Sequence, residues 1–291
     1  MTRLRMKLFQ NKKRTILLGI GTLAFVGLCL IVWAFVIEPN RIVLNEVEVK
    51  LDTWPVAFNR LKIVAVSDLH AGSRYINEEK IEEIVAVINE TQPDLIVLLG
   101  DFVTQSTDEK TLMEPERVAE RLKGLQAKYG VFAVLGNHDW WYNGQRVKAA
   151  LTGVGIRVLE NDVAPIQKDG QTIWLLGVPD FWTRQPIDVT SALKKINVPG
   201  PVIALTHNPD VFPTLPSGIN LTLAGHTHGG QVNIPFIGRP IVPSKYGERY
   251  AAGYIIENNR PLFVTTGIGT TGIAVRFRVP PEIAVITLTA K

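Results

Sequence analysis

The sequence predicts an α/β domain with two β-sheets, preceded by a single transmembrane helix near the N-terminus. Three observations lead to this prediction: an uncharged run over residues 15–37, repeated strand-loop-helix units after it, and shorter strands in the second half. At 291 residues, 46% of them hydrophobic, the chain is long enough for one large domain with a sizeable core.

The apolar run over residues 15–37 contains no charge, and a helix of that length can cross roughly 30 Å of hydrocarbon. Trp33 lies near the end of this run, and Glu38 and Pro39 follow it. The small residues of a cleavage site are absent there, which favours an uncleaved anchor over a signal peptide. Basic residues and no acids precede it over 1–14, so the positive-inside rule places the N-terminus in the cytoplasm. We therefore expect a single-pass protein of the cell membrane with its globular domain on the extracytoplasmic side.

The basic tail accounts for the positive net charge. Without the six basic residues of 1–14, the net charge of +4 becomes about −2, and no nucleic-acid partner is expected. The only cysteine, Cys29, lies in the apolar run, so metal ligands in the globular domain must be nitrogen or oxygen. We expect a cytoplasmic tail over 1–14, an anchor over 15–37, a connecting segment over 38–60 and one globular domain over 61–291. The connecting segment contains a short alternating strand, at Val43 and residues 46–51. The sequence does not indicate an oligomeric state.

Three apolar runs predict consecutive βα units. Residues 61–66 form the first strand, and Asn77 then caps a helix that extends to about Glu90. The runs 95–100 and 131–136 are the next two strands, and a helix near 114–126 lies between them. Strands that alternate with amphipathic helices indicate a mostly parallel sheet with helices on its faces.

The second half of the chain has shorter predicted strands and more turns, which favours two sheets over one. These strands lie at 157–159, 172–176, 202–205, 221–223, 253–256, 262–265 and 283–288.

Metal-binding residue types directly follow these strands. Open α/β sheets bind ligands at the carboxyl ends of their strands, so this position favours function. Any single residue has an ordinary alternative, such as a helix cap for an aspartate. However, all five histidines of the chain lie in these loops, which favours a shared metal centre. The candidates are Asp68, His70, Asp101, Asn137, His138, His207, His226 and His228.

These residues occur in five motifs that resemble those of the calcineurin-like metallophosphoesterases: SDLH, GDFV, GNHDWW, THNPD and AGHTHGGQ. The resemblance covers about residues 61–291, and GNHD followed by GHTH is its most specific part. The GGQ after GHTH, the anchor and the ending GIGTTGIAVRFRVPPEI are similar to the YkuE/YaeI-like branch of membrane-associated phosphodiesterases. The resemblance implies a double β-sheet sandwich flanked by helices, an αββα fold.

The resemblance also implies a site with two divalent metal ions. Asp68, His70 and His228 would bind the first ion, and Asn137, His207 and His226 the second, with Asp101 bridging both. The large share of imidazole favours Mn, Fe or Zn over Ca or Mg, and the sequence does not identify the ions.

Two further residues of the GNHD motif are expected to be catalytic. His138 is the histidine outside the ligand set, and by resemblance it protonates the leaving oxygen or stabilises the transition state. Asp139 either orients the His138 ring or caps the helix that follows, and the sequence leaves both roles open.

The expected function is two-metal hydrolysis of a phosphate ester by metal-activated hydroxide. The substrate would be a phosphodiester or pyrophosphate in a lipid-linked or cell-envelope molecule, because the anchor holds the site beside the membrane. The alternatives are a UDP-2,3-diacylglucosamine-type pyrophosphatase, a non-catalytic membrane-tethered binding protein and a two-metal amide hydrolase. The expected outward topology opposes a cytosolic UDP-linked substrate.

Two weaker features each have two interpretations. The aromatic residues of 140–142 and 181–182 either form an apolar rim for a lipid-bearing substrate or close the core around the site. One of four arginines either binds a substrate phosphate or belongs to the solvated surface. They are Arg74, Arg184, Arg276 and Arg278.

Overall fold

The fold consists of two six-stranded sheets packed face to face, with helices on the outer faces, in a computed structural model. The structure describes residues 2–104 and 113–291, with no side chains described at positions 2–8 and 10–12, which include most of the expected basic tail. The α-helices are α1 (Thr2–Val32), α2 (Glu78–Glu90), α3 (Pro115–Leu122), α4 (Asn137–Gly153) and α5 (Thr190–Leu193).

The first sheet has the strand order β1-β12-β2-β3-β4-β5. Neighbouring strands from β2 to β5 are parallel, and β12 is antiparallel to β2. The carboxyl ends of β2, β3 and β4 therefore lie at one edge of the sheet. The strands are β1 (Val43–Leu51), β2 (Leu61–Val66), β3 (Leu95–Leu99), β4 (Val131–Val134), β5 (Arg157–Val158) and β12 (Glu282–Ala290).

The second sheet has the strand order β10-β11-β9-β8-β7-β6. Its central strands β7, β8, β9 and β11 are parallel, and its edge strands are antiparallel to their neighbours. The strands are β6 (Asp162–Lys168), β7 (Gln171–Gly177), β8 (Val202–Leu205), β9 (Leu221–Ala224), β10 (Gly253–Glu257) and β11 (Arg260–Val264).

Apolar side chains from both sheets interdigitate to form the central core. Ile63 and Val97 of the first sheet belong to the same buried cluster as Leu205 and Leu223 of the second. Helices α2, α3 and α4 cover the outer face of the first sheet, while α5 packs on the second. The αββα sandwich that the resemblance implied is therefore confirmed.

Local signals in the sequence explain where the helices begin. The side chain of Asn77 accepts a hydrogen bond from the Lys80 N–H at 2.9 Å, as expected for the N-cap of α2. Four apolar residues of α2 then face the core: Ile81, Ile84, Val85 and Ile88.

Strand β1 is the short strand that the sequence predicted within the connecting segment over 38–60, and the structure places it in the first sheet of the domain. It pairs in parallel with β12 along its whole length, and Trp54 and Phe58 after it are buried in the central core. Charged residues alternate along β1 because it is an edge strand with one exposed face, which disguised its place in the sheet. The folded unit thus begins before residue 61.

Strand β6 was missed by the sequence analysis. It contains Pro165, which argues against a central strand, and the structure places it at the edge of the second sheet, where a missing N–H is tolerated.

The N-terminal helix is long and apolar enough to cross a membrane over Lys13–Asn40. It is mostly exposed, since 6% of its most apolar 18-residue stretch is buried. Its end, in contrast, is packed into the globular domain. Ala34, Glu38 and Pro39 are buried, and the Ala34 carbonyl accepts a hydrogen bond from the Arg276 N–H at 3.0 Å. The apolar helix is therefore joined to the domain by packing as well as by the chain.

Candidate metal centre

The loops at the carboxyl ends of five strands meet between the two sheets and bring the predicted ligands together. The loops after β2, β3 and β4 belong to the first sheet, and the loops after β8 and β9 belong to the second. All seven predicted metal ligands are buried there. Five of them have a left-handed backbone conformation, which is uncommon for residues other than glycine: Asp68, His70, Asp101, His226 and His228.

The first group of ligand atoms surrounds Asp68 Oδ1. His228 Nε2 lies 3.4 Å from this oxygen, and His70 Nε2 lies 3.1 Å from His228 Nε2. Asp68 Oδ1 is buried and has no hydrogen-bond donor. A buried carboxylate oxygen without a donor is costly unless a cation balances it, so this group fits a bound metal ion.

The second group surrounds His207 Nε2. Asn137 Oδ1 and His226 Nδ1 each lie 3.1 Å from this nitrogen. His207 Nδ1 lies 2.7 Å from the Leu99 carbonyl, which can only accept a hydrogen bond. Nδ1 therefore carries the proton and Nε2 is free to bind a metal ion.

Asp101 connects the two groups. Its Oδ2 lies 3.6 Å from His70 Nε2 in the first group and 3.2 Å from His207 Nε2 in the second. Its Oδ1 accepts a hydrogen bond from the His138 N–H at 2.9 Å. Oδ1 thus holds the start of α4, while Oδ2 faces both groups of ligand atoms.

Burial keeps three of the imidazoles in their neutral, metal-binding form. It lowers the pKa of His70 to about 3 and shifts the pKa values of His226 and His228 well below the usual value. Burial also favours the neutral ring of His207, but the charge of Asp101 outweighs it and raises the pKa of His207 to about 10. A metal ion and a proton would compete for that ring.

Close packing explains two of the glycines in the motifs. A side chain at Gly136 would overlap the Asp101 carboxylate, and one at Gly225 would overlap Ser67. These glycines are needed because neighbouring loops approach closely, and neither has a positive φ.

Comparison with known proteins agrees with this geometry. The family model for calcineurin-like phosphoesterases matches residues 61–230. The chain belongs to the calcineurin-like metallophosphoesterase family. This membership makes it a hydrolase of phosphate esters that uses divalent metal ions.

Three relatives illustrate the range of the family. The metallophosphoesterase YkuE of Bacillus subtilis is 34% identical over 88% of this chain and 88% of its own length. The phosphodiesterase YaeI of Escherichia coli is 31% identical over 78% of this chain and 82% of its own. A transmembrane protein with a metallophosphoesterase domain from Danio rerio is 29% identical over 86% of this chain and 58% of its own.

The His138 ring lies at the edge of the metal centre. Its centroid is 4.7 Å from that of His70 and 5.0 Å from that of Trp141. Burial lowers the pKa of His138, and the charge of Asp101 opposes this effect. His138 is half-buried, and its Nδ1 is buried without a hydrogen-bond partner.

Asp139 contacts the backbone rather than the His138 ring. Its carboxylate accepts hydrogen bonds from the N–H groups of Gly136 and of three residues after β3, at 2.8 to 3.3 Å: Asp101, Phe102 and Val103. Burial and the charge of Asp101 raise the pKa of Asp139 to about 7, whereas these N–H groups stabilise its charged form. Asp139 is not itself the N-cap of α4, which is Gly136; from the first turn its carboxylate binds the Gly136 N–H and holds the loop after β3 against the start of the helix.

The aromatic residues of the site divide between the two interpretations. Trp141 is 46% exposed and Trp182 is 45% exposed, and the centroids of their rings lie 6.2 Å apart. The Trp141 ring contacts His138, and the Trp182 ring contacts His226. Trp140 and Tyr142 pack against the core beneath them. The pair Trp141 and Trp182 therefore forms an apolar rim at the opening of the site.

Asp180, after β7, was missed by the sequence analysis. It is completely buried, and one of its oxygens accepts hydrogen bonds from the backbone of Trp182 and from both the backbone and hydroxyl of Thr183. It therefore positions the loop that carries Trp182. The available signal was its place directly after an apolar strand, as for the predicted ligands.

The guanidinium of Arg276 is bonded to backbone carbonyls. The residue is fully buried, and its guanidinium donates to the carbonyls of five residues: Thr266, Gly267, Gly269, Val279 and Pro280. Arg184 stacks on Trp140 and pairs with Glu160. Arg276 is thus a structural residue of the C-terminal loop.

We predict that Asp139→Asn destabilises the protein even without metal. An amide nitrogen would face backbone N–H groups, and each buried donor left unpaired costs about 1–3 kcal/mol. The thermal unfolding midpoint, measured with a chelator present, should fall by several degrees. The control Asp169→Asn changes an exposed aspartate and should leave the midpoint unchanged. An unaltered midpoint in Asp139→Asn together with lost activity would instead support a catalytic role.

Proposed function

We propose that the protein hydrolyses a phosphodiester or pyrophosphate bond in a lipid-linked substrate, with two divalent metal ions bound between its sheets. The observation that carries this proposal is the position of Asp101 Oδ2, which faces both groups of ligand atoms within 3.6 Å. A single carboxylate oxygen between two imidazole-rich groups suits a bridging ligand for a pair of ions.

In this proposal, each ion is bound by residues from both sheets. Asp68, His70 and His228 would hold the first ion, Asn137, His207 and His226 would hold the second, and Asp101 would contribute to both. The four imidazoles among these ligands favour Mn, Fe or Zn. When bound, the ions neutralise charge on the phosphate oxygens and lower the pKa of water.

His138 acts on the leaving group. Hydrolysis forms a bond between water oxygen and phosphorus and breaks the bond to the leaving oxygen, which departs with a proton. The partly exposed His138 ring lies beside His70 and can supply that proton. The negative charge of a bound phosphate would favour the protonated ring and so offset the effect of burial.

The first test is metal content and metal-dependent turnover of the full-length protein. We expect about two ions per chain by elemental analysis and hydrolysis of bis-p-nitrophenyl phosphate. Chelation should abolish turnover, and added Mn or Zn should restore it. A folded protein that holds both ions but hydrolyses no phosphodiester would favour the non-catalytic alternative.

Two substitutions separate metal binding from proton transfer. His138→Ala should keep both ions and lose about 10²- to 10⁴-fold in kcat, the usual contribution of a general acid. Asp101→Ala should lose both metal and activity, because the bridging oxygen is removed. Elemental analysis and kcat of each variant measure the difference. Equal metal loss in the two variants would exclude the proposed role of His138.

The membrane assignment rests on the apolar helix and on how its end is packed. The helical stretch over Lys13–Asn40 is long and apolar enough to span a bilayer, while Ala34, Glu38 and Pro39 are buried in the domain. Removing the helix at its end would expose these contacts, which supports an anchor that stays attached. The basic residues over 1–14 support an extracytoplasmic catalytic domain.

An alkaline phosphatase fusion after residue 60 tests this orientation. The reporter folds to an active form outside the cytoplasm, so colonies should show reporter activity. A fusion before residue 15 is the matched control and should be inactive. The opposite pattern would place the catalytic domain in the cytoplasm.

A further inference from the structure

An apolar groove of about 510 Å³ lies beside the metal centre. This volume is within the range of sites for small organic ligands, roughly 300–1,000 Å³. Among the described residues that line it, His228 is the only titratable one. The groove therefore suits an uncharged, apolar ligand. Its walls include Thr227, His228, Val232, Ile241, Ile273 and Val275.

One end of the groove reaches the metal centre through His228. This residue lines the groove, and its Nε2 lies 3.1 Å from His70 Nε2 and 3.4 Å from Asp68 Oδ1. A ligand in the groove would thus extend from the first group of metal ligands. A molecule with both an apolar chain and a phosphate could occupy both places at once.

Exposed apolar side chains line the groove and occupy a turn between two of its lining segments. Ile241 is 76% and Ile273 is 68% exposed, and both line the groove. Phe236 lies at the tip of the turn in which Ile234 and Gly238 pair. Phe236 is fully exposed, and Ile237 beside it is 71% exposed. Apolar residues grouped in this way on a surface indicate contact with lipid or another apolar partner.

The end of the membrane helix is bonded to the same wall of the groove. The Ala34 carbonyl accepts a hydrogen bond from the Arg276 N–H, next to Val275 in the wall. The Tyr75 hydroxyl bridges the carbonyls of Phe35 and Ala274, at 2.5 and 3.0 Å. These contacts hold the groove close to the point where the chain leaves the membrane.

We propose that this groove binds an acyl chain of a membrane lipid whose phosphate ester lies at the metal centre. The inference rests on the proposed phosphoesterase function and adds a chain-binding subsite to it. The apolar lining favours the chain, the contact through His228 places the headgroup phosphate, and the helix joint places the groove at the membrane surface. The acyl chain of the lipid would then move between the bilayer and the groove without passing through water.

The test compares two synthetic diesters, p-nitrophenyl methyl phosphate and p-nitrophenyl octyl phosphate, with full-length protein in a sugar-based detergent. The measured quantity is the ratio of kcat/KM for the octyl ester to that for the methyl ester. We expect a ratio of at least about ten, because each buried methylene contributes roughly fourfold. A ratio near one would overturn the subsite and would fit a groove that binds an apolar peptide.

Substitutions in the groove make the test specific. Ile273→Asn should lower the octyl-to-methyl ratio at least about fivefold, since it places an amide in the apolar wall. Ile256→Asn makes the same change at an isoleucine of β10 that is 63% exposed, and it should keep the wild-type ratio. General damage to the metal centre would lower both rates together and leave the ratio unchanged.

The outcomes separate this inference from the proposed function. Hydrolysis of both esters with a ratio near one, or an unchanged ratio in Ile273→Asn, rejects the subsite and leaves the phosphoesterase function standing. No hydrolysis of either ester or of bis-p-nitrophenyl phosphate by the metal-loaded protein rejects the phosphoesterase function and the subsite together.

Discussion

The arrangement of the site depends on two buried carboxylates that each use one oxygen for the fold and one for the site. Asp68 Oδ2 accepts a hydrogen bond from the His226 N–H, and Asp101 Oδ1 accepts one from the His138 N–H, both at 2.9 Å. These bonds connect loops of different strands, and in the case of Asp68 they connect the two sheets. The remaining oxygens are directed at imidazole nitrogens. A buried charge is costly unless hydrogen bonds or an opposite charge stabilise it. The two carboxylates therefore favour a fold that places N–H groups and cations next to them.

Two other buried ionisable residues support this arrangement without facing the site. Asp139 binds the backbone N–H groups of the loop after β3, and Arg276 binds the carbonyls of the loop after β11. The second loop in turn donates from the Gly269 N–H to the Asp68 carbonyl at 2.7 Å. Asp139 thus fixes the loop that presents Asp101, and Arg276 fixes a loop that binds the backbone of Asp68. From the sequence alone, Asp139 could orient the His138 ring and Arg276 could bind a substrate phosphate, because those roles use the same residue types near the same motifs.

Specific contacts join the apolar helix to the domain. A flexible tether would let the domain rotate relative to the helix, but here Glu38 and Pro39 are buried and Tyr75 bonds to the last turn of the helix. The exposed apolar side chains near Phe236 and Ile273 are on segments that adjoin this joint or the groove beside it. The end of the apolar helix and the wall of the groove beside the metal centre are therefore parts of one packed arrangement.

The sequence by itself determined the α/β class, the apolar helix, the family motifs and the set of candidate metal-binding residues. It could do so because these properties are local: strand periodicity, an uncharged run, and polar residues directly after strands such as Asp68 after β2. It did not show that β1 joins the sheet, that β6 is a strand, or that Asp139 and Arg276 bind backbone groups. Which oxygen of Asp101 faces the metal centre, and which aromatic residues form its rim, were decided only by the tertiary structure. The physical reason is that these properties depend on hydrogen bonds and packing between segments far apart in the chain, as where Asp68 meets His226.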